Sequence, residues 1–297
     1  MQLEASVFPA SFDYVRARSL DEALSALVEH DGDARVLAGG QSMIPAMRFR
    51  LARPPVLVDI NGIAGINYLT ERDGSLCLGA TCRDYALEVS PLIRQKYSLL
   101  DDVSKVVADP IVRHLGTVVG SICHNDPAGD WSTTALASRA HVVVRGKDGE
   151  RVVPIDDFLV DSFETAVKDG ELAIEVRFPI VNGKTAGAYK KIERKVGDFA
   201  TASAAVQLTL AADGTIAEAG VALAAAGPTA IRVASAEAAL RGKTPDAAAI
   251  KTAGDAAREA SQPGADARGS VEYKKDMAGV LVERGLRTAL DRLGVKL

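Results

Sequence analysis

Two short stretches of small residues carry most of the chemistry that this sequence offers. Between Arg113 and Asp130, Gly116, Gly120 and Gly129 let the main chain run close to a ligand without a Cβ in the way. Thr117 and Ser121 add hydroxyls able to donate to phosphate oxygens, with Val118 and Val119 between them. Asp130, when ionised, only accepts hydrogen bonds, which suits ribose hydroxyls or a ring N–H rather than phosphate. Upstream, the apolar run Val36, Leu37, Ala38 breaks into Gly39, Gly40, Gln41 and Ser42. Successive main-chain N–H groups in such a turn form an anion-binding concavity. Either stretch alone reads equally as a strand-ending turn. Together they could clamp one diphosphate from two sides.

Beyond these stretches the chemistry is thin. His114, Cys123, His124 and Asp126 are near one another in sequence, yet neighbouring residues rarely converge on one ion, and no distant pair has ligand spacing. No G-x-S-x-G, H-E-x-x-H or Walker pattern occurs, so hydrolase and kinase readings have no support. Lys190, Lys191, Arg194 and Lys195 form a basic patch near a third glycine-bearing turn at Gly197, and read most simply as a solvated face of a strand or loop.

The elements that must position these residues follow from local signals. Ser19 and Glu22 make a capping box, so a helix begins there, with Leu20, Ala23, Leu24, Leu27 and Val28 at helical spacing and Asp31-Gly32 ending it. A strand over 35–38 then puts the first glycine stretch at its C-terminal edge, a usual place for ligands in α/β folds. Residues 43–50 read as a helix and 56–60 as a buried strand, with Arg53, Pro54 and Pro55 as a rigid connector at which a first domain ends. The segment 56–179 is mixed, with strands at 76–78, 141–144 and 171–178 and helices at 85–89, 99–107 and 131–138. Pro179 and the Asn182-Gly183 turn close it.

A different rhythm follows. Residues 204–210 and 216–224, joined by an Asp213-Gly214 turn, read as antiparallel strands, and amphipathic helices follow around 234–240, 247–260 and 277–293. The expected fold class is α+β with domains 1–55, 56–179 and 180–297, the last a small antiparallel sheet with helices on one face.

Composition bounds the rest. A chain of 297 residues with 47% apolar content buries a good core and exceeds the usual size of a single one. Its net charge is −4 with both signs interspersed, which argues against a nucleic-acid surface. No apolar run approaches a membrane span, and Met1 to Glu4 lack the start of a secretory signal, so a cytoplasmic chain is expected. The three cysteines, Cys77, Cys82 and Cys123, have no ligand spacing and read as reduced, mostly buried thiols.

Ala38-Gly39-Gly40-Gln41-Ser42 followed by Pro45 and Leu51, then Thr117 to Ser121 with Asn125, Asp126, Pro127 and Asp130, then Lys195 to Ala200, resembles the FAD-binding medium subunit of molybdenum hydroxylases. That family includes the medium subunit of carbon monoxide dehydrogenase and is similar to the flavin domain of xanthine dehydrogenase. The resemblance runs from Phe12 to about Leu293. It implies a two-part FAD-binding domain of the vanillyl-alcohol-oxidase-like type ahead of the C-terminal domain. It further implies FAD on this chain, a large partner subunit with a molybdenum–pterin cofactor, and a small partner subunit with [2Fe–2S] clusters. Electrons would leave through the flavin to a quinone, cytochrome or NAD, in a dimer of heterotrimers. By the same resemblance Lys191 and Phe199 fall near the flavin and Val167 offers main chain to the adenine end. Two positions depart from the family pattern: Phe199 stands where tyrosine is usual, and Val119 where glycine is usual, which restricts φ there. A self-contained flavin oxidase and an assembly scaffold stay open as alternatives.

Overall fold

The computed structural model describes residues 8–297, so the reading of Met1 to Glu4 lies outside the described residues. The N-terminal part is a three-stranded parallel sheet in which Val56–Asp59 lies between Asp13–Arg16 and Ala34–Leu37. All four residues of that central strand are buried, as a strand covered on both faces requires. The expected boundary at Pro55 therefore does not divide the packing, because the strand after the connector is the middle of the N-terminal sheet. Pairing with two strands already formed outweighs the stiffness of the connector.

Helix Leu20–Glu29 covers this sheet. The Ser19 hydroxyl accepts from the Glu22 N–H at 3.1 Å, while the Glu22 carboxylate reaches one residue past the cap to the Arg18 N–H at 2.7 Å. Ala23, Leu24, Ala26 and Leu27 are buried, but Val28, expected among them, is exposed. Helix Met43–Arg48 is shorter than expected because Arg50 turns left-handed, with φ +55°.

The central part is a five-stranded antiparallel sheet in the order Leu69–Arg72, Ser75–Gly79, Leu172–Pro179, His141–Gly146, Gly149–Pro154. The strand that comes last in sequence sits in the middle, so the sheet closes only when the chain returns. Helices including Asp84–Val89, Ser98–Val106, Val118–His124 and Asp130–Ala137 complete this part around a core with Trp131, Phe158 and Phe178 fully buried.

The C-terminal part is an antiparallel sheet in the order Lys184–Ile192, Ala202–Leu210, Ile216–Ala224, Ile231–Arg232. Helices Ala234–Leu240, Ala247–Ala260 and Val271–Arg292 share its alanine-rich core. The last helix starts earlier than expected because Ser270 caps it, accepting from the Tyr273 N–H at 3.2 Å. Strand Lys184–Ile192 was not legible in its mixed charged and small residues, and it is held by pairing with Ala202–Leu210 along its whole length. Helix Asp130–Ala137 packs on this sheet closely: a Cβ on Gly220 would lie 2.9 Å from the Ala137 carbonyl carbon. Among the described residues no helix is long and apolar enough to cross a membrane.

Candidate functional site

The first glycine stretch leaves the C-terminal edge of strand Ala34–Leu37, as its position in the sequence implies. Gly40 has φ +72°, a conformation that any side chain strains. A Cβ there would lie 2.8 Å from Ile44 Cδ1 and 3.3 Å from Leu37 Cδ1, so the glycine serves the turn itself. The Gln41 amide donates to the Gly39 carbonyl at 3.2 Å and closes the turn. Ser42 precedes helix Met43–Arg48 without capping it, which leaves its hydroxyl uncommitted. Among the described residues, the main-chain N–H groups of Gly39, Gly40, Gln41 and Ser42 meet no acceptor.

The second stretch is not the open loop expected from its glycines. Helix Pro110–Leu115 ends at Gly116, and Thr117 at once caps helix Val118–His124, its hydroxyl oxygen accepting from the Gly120 N–H at 3.2 Å. A threonine in extended conformation with a free donor three residues later is a good N-cap, and this local bond outweighs the flexibility of Gly120. Val118 and Val119 send their side chains into the core. The Val118 N–H donates to the Cys82 carbonyl at 3.3 Å and the Gly120 N–H to Thr117, so in this first turn the Val119 N–H is the one that meets no acceptor among the described residues. Ser121 is half-buried.

These segments meet. A Cβ on Gly39 would strike the Leu115 carbonyl oxygen and lie 2.9 Å from Gly116 Cα, and one on Gly120 would lie 4.0 Å from Ala38 Cβ. Two stretches far apart in sequence thus touch, with the uncommitted main-chain N–H groups of the first beside the start of helix Val118–His124 and no room for a side chain at Gly39. A row of main-chain N–H groups without acceptors beside a helix N-terminus fits a diphosphate.

Asp130 and Lys191 come together at a second place, between helix Asp130–Ala137 and strand Lys184–Ile192. The Lys191 ammonium lies 3.0 Å from Asp130 Oδ2 and donates to the Val106 carbonyl at 3.1 Å. The Tyr189 hydroxyl donates to Asp130 Oδ1 at 2.6 Å, and 2.7 Å separates it from the Ser203 hydroxyl. Burial pushes the Asp130 carboxyl upward in pKa, against the Lys191 charge and the Tyr189 hydrogen bond, which pull it down. Lys191 is consequently no solvated residue: its side chain is 4% exposed, whereas Arg194 and Lys195 stay exposed.

Phe199 sits in the loop after that strand, half exposed, with its N–H donating to Asp198 Oδ1 at 2.8 Å. The loop rests on the approach to the second stretch, since a Cβ on Gly197 would lie 3.2 Å from the Asp109 nitrogen. Val167 packs, partly buried, against the central core just after strand Glu164–Thr165. Asn125, left-handed at φ +46°, ties that segment to helix Val118–His124 by donating to the carbonyls of Asp161 at 2.8 Å and Glu164 at 2.9 Å. His114 instead stacks on Tyr85 and His124 tilts against Phe163.

A family model described as the FAD binding domain in molybdopterin dehydrogenase matches residues 10–181, and one described as the CO dehydrogenase flavoprotein C-terminal domain matches 187–289. The carbon monoxide dehydrogenase medium chain of Hydrogenophaga pseudoflava is 36% identical over 96% of this chain and 99% of its own. The chain belongs to the FAD-binding medium subunits of molybdenum hydroxylases. The 6-hydroxypseudooxynicotine dehydrogenase complex subunit alpha of Paenarthrobacter nicotinovorans is 35% identical over 96% of each chain. A solved structure of carbon monoxide dehydrogenase from Hydrogenophaga pseudoflava superposes with a TM-score of 0.93 at 38% identity, covering 96% of this chain and 99% of that one. This medium subunit is accordingly a flavoprotein oxidoreductase subunit, and FAD is the cofactor described for its family.

Several residues of this medium subunit escaped the sequence reading. Asp84, buried at the start of helix Asp84–Val89, accepts from the Trp131 indole N–H at 2.9 Å, and its other oxygen lies 2.5 Å from where a Gly116 Cβ would be. Burial pushes its carboxyl up to about 7. Trp131 is the only tryptophan and directly follows Asp130, a signal that could have marked the pair. Tyr189, Asn61 and Arg83 carried no local signal, since their roles arise from partners distant in sequence.

Proposed function

We propose that this chain is the electron-exit subunit of a three-subunit molybdenum hydroxylase, with FAD seated noncovalently and its diphosphate between Ala38–Ser42 and Thr117–Ser121. The observation that supports this reading is the contact of Gly39 with Leu115 and Gly116, which sets the two glycine stretches side by side as the walls of the proposed diphosphate cleft. FAD, when bound, supplies the redox chemistry itself. The chain's own residues bind and orient it. The N–H groups of Gly39 to Ser42 and of Val119 hold the diphosphate, Val167 offers main chain to the adenine, and Phe199 and Lys191 flank the ring. Asp130 acts from behind, holding the buried Lys191 ammonium in place. Phe199 offers ring contact without a phenolic hydrogen bond.

In this reading the first two structural units together form the vanillyl-alcohol-oxidase-like FAD domain. Their mutual boundary falls after Ile66 rather than at Pro55, because Ile63 and Ile66 belong to the N-terminal core. A [2Fe–2S] cluster takes four ligands, and three cysteines with Cys77 and Cys82 buried do not supply them. The clusters therefore belong to a small partner subunit and the molybdenum–pterin to a large one, in a cytoplasmic dimer of heterotrimers that delivers electrons to a quinone, cytochrome or NAD. That relatives are named for substrates as different as carbon monoxide and 6-hydroxypseudooxynicotine supports a choice of substrate made outside this subunit.

The test is native mass spectrometry of the complex isolated through this chain, followed by acid precipitation. Two partner subunits and free FAD in the supernatant are expected. A flavin that stays covalently attached, FMN in place of FAD, or a chain that isolates alone with active flavin would overturn the reading.

A further inference from the structure

We propose that Asn61 and Arg83 are positioning residues that fix the width of the cleft between the two glycine stretches, an inference that rests on FAD lying there. Asn61 follows the central strand Val56–Asp59, and its amide nitrogen donates to the Ala38 carbonyl at 2.7 Å. Asp59 locks that amide in place: its Oδ1 accepts from the Asn61 amide at 2.6 Å and from the Asn61 main-chain N–H at 2.8 Å. The Asn61 amide oxygen in turn accepts from Arg83 Nη2 at 2.6 Å, and Arg83 Nη1 donates to the Leu115 carbonyl. A continuous path of hydrogen bonds therefore runs from Ala38 through Asn61 and Arg83 to Leu115, from one wall of the cleft to the other.

Arg83 is well placed for this. Its main chain bridges to Thr117, and the next N–H, of Asp84, donates to the Gly116 carbonyl at 3.1 Å. The residue is thus attached to the second stretch through its backbone while its side chain reaches the first through Asn61. The carbonyl of Leu115 that Arg83 holds is the atom that a Cβ on Gly39 would strike. Guanidinium geometry serves two acceptors at a fixed angle, which an ammonium cannot reproduce. With Nη1 and Nη2 each engaged, Arg83 acts as a brace between the two stretches. Donors held at a set spacing before the ligand arrives lose less freedom on binding.

The experiment uses the assembled complex, stripped of flavin and titrated with FAD by flavin fluorescence, with Asn61→Ala, Arg83→Lys and the double variant. Asn61 is exposed and Arg83 half-buried, so neither change opens the core. Each single variant should weaken FAD binding about 3- to 10-fold, the double variant should be no worse than the poorer single, and the thermal midpoint of the flavin-free complex should not move. The brace is refuted if Asn61→Ala binds FAD as the wild type does, if the two losses simply add, or if the flavin-free midpoint drops in step with affinity. A wild-type complex that takes up no FAD would instead refute the cleft itself.

Discussion

The Lys191 ammonium lies 3.0 Å from the Asp130 carboxylate, both side chains more than nine-tenths buried, at the seam between the central helices and the C-terminal sheet. Removing the carboxylate leaves Lys191 with Glu193, 3.3 Å away, as its remaining carboxylate partner among the described residues, and takes from Tyr189 its charged acceptor. Asp130→Ala should therefore destabilise the chain by about 1 to 3 kcal/mol, read as a shift in the urea midpoint. Asp130→Asn, still able to accept from Tyr189, should cost less. Equal losses in the two variants would show that the charge of Asp130 alone, and not the bond from Tyr189, holds the seam.

Gly40 and Gly74 share φ +72°, but only Gly40 lies in the cleft, and a Cβ on Gly74 meets nothing within 4 Å. Alanine at either position should strain the backbone by about 1 to 3 kcal/mol. FAD content after purification should fall for Gly40→Ala alone. Retention of full FAD by Gly40→Ala at the same stability loss would make that turn structural only.

Asp84 gives a pH dependence of definite sign. Its folded pKa, pushed up to about 7 by burial, exceeds the ordinary value of 3.8, so the folded chain binds the proton more tightly than the unfolded one. Its contribution is fully favourable below about pH 4 and is lost as pH rises through 7. Asp84→Asn keeps an oxygen for the Trp131 indole and cannot ionise. Wild type should thus lose stability relative to Asp84→Asn between pH 4 and 8, on the order of 1 to 4 kcal/mol, in denaturant titrations at the two pH values. A difference that stays flat would mean that Asp84 is ionised in the folded chain at both.

Asp198 holds the Phe199 loop by three bonds: from the Phe199 N–H, from Arg194 at 3.3 Å and from Arg268 at 3.1 Å. Arg268 is the distant member, reaching over from the segment before the last helix. Arg268→Ala should leave global stability within about 1 kcal/mol while speeding amide hydrogen exchange at Gly197 to Ala200. Unchanged exchange there would show that the loop is held by its packing on Ala108 and Asp109 alone.

Taken alone, the sequence determined what depends on neighbours along the chain. The cap at Ser19, the strand-edge turn at Gly39-Gly40, the Asp213-Gly214 turn and most helices are legible because capping geometry, allowed φ and apolar period act over a few residues. The order of glycine stretches was also enough to indicate the family. Only the tertiary structure decided which strands lie in the middle of their sheets, and it moved Val56–Asp59 into the N-terminal unit because pairing partners are chosen across the whole chain. It also decided that Thr117 opens a helix, that Lys191 is buried against Asp130, and that Asn61 and Arg83 link the two walls of the cleft. Burial and long-range hydrogen bonds set those roles, and neither is written in the residues adjacent to them.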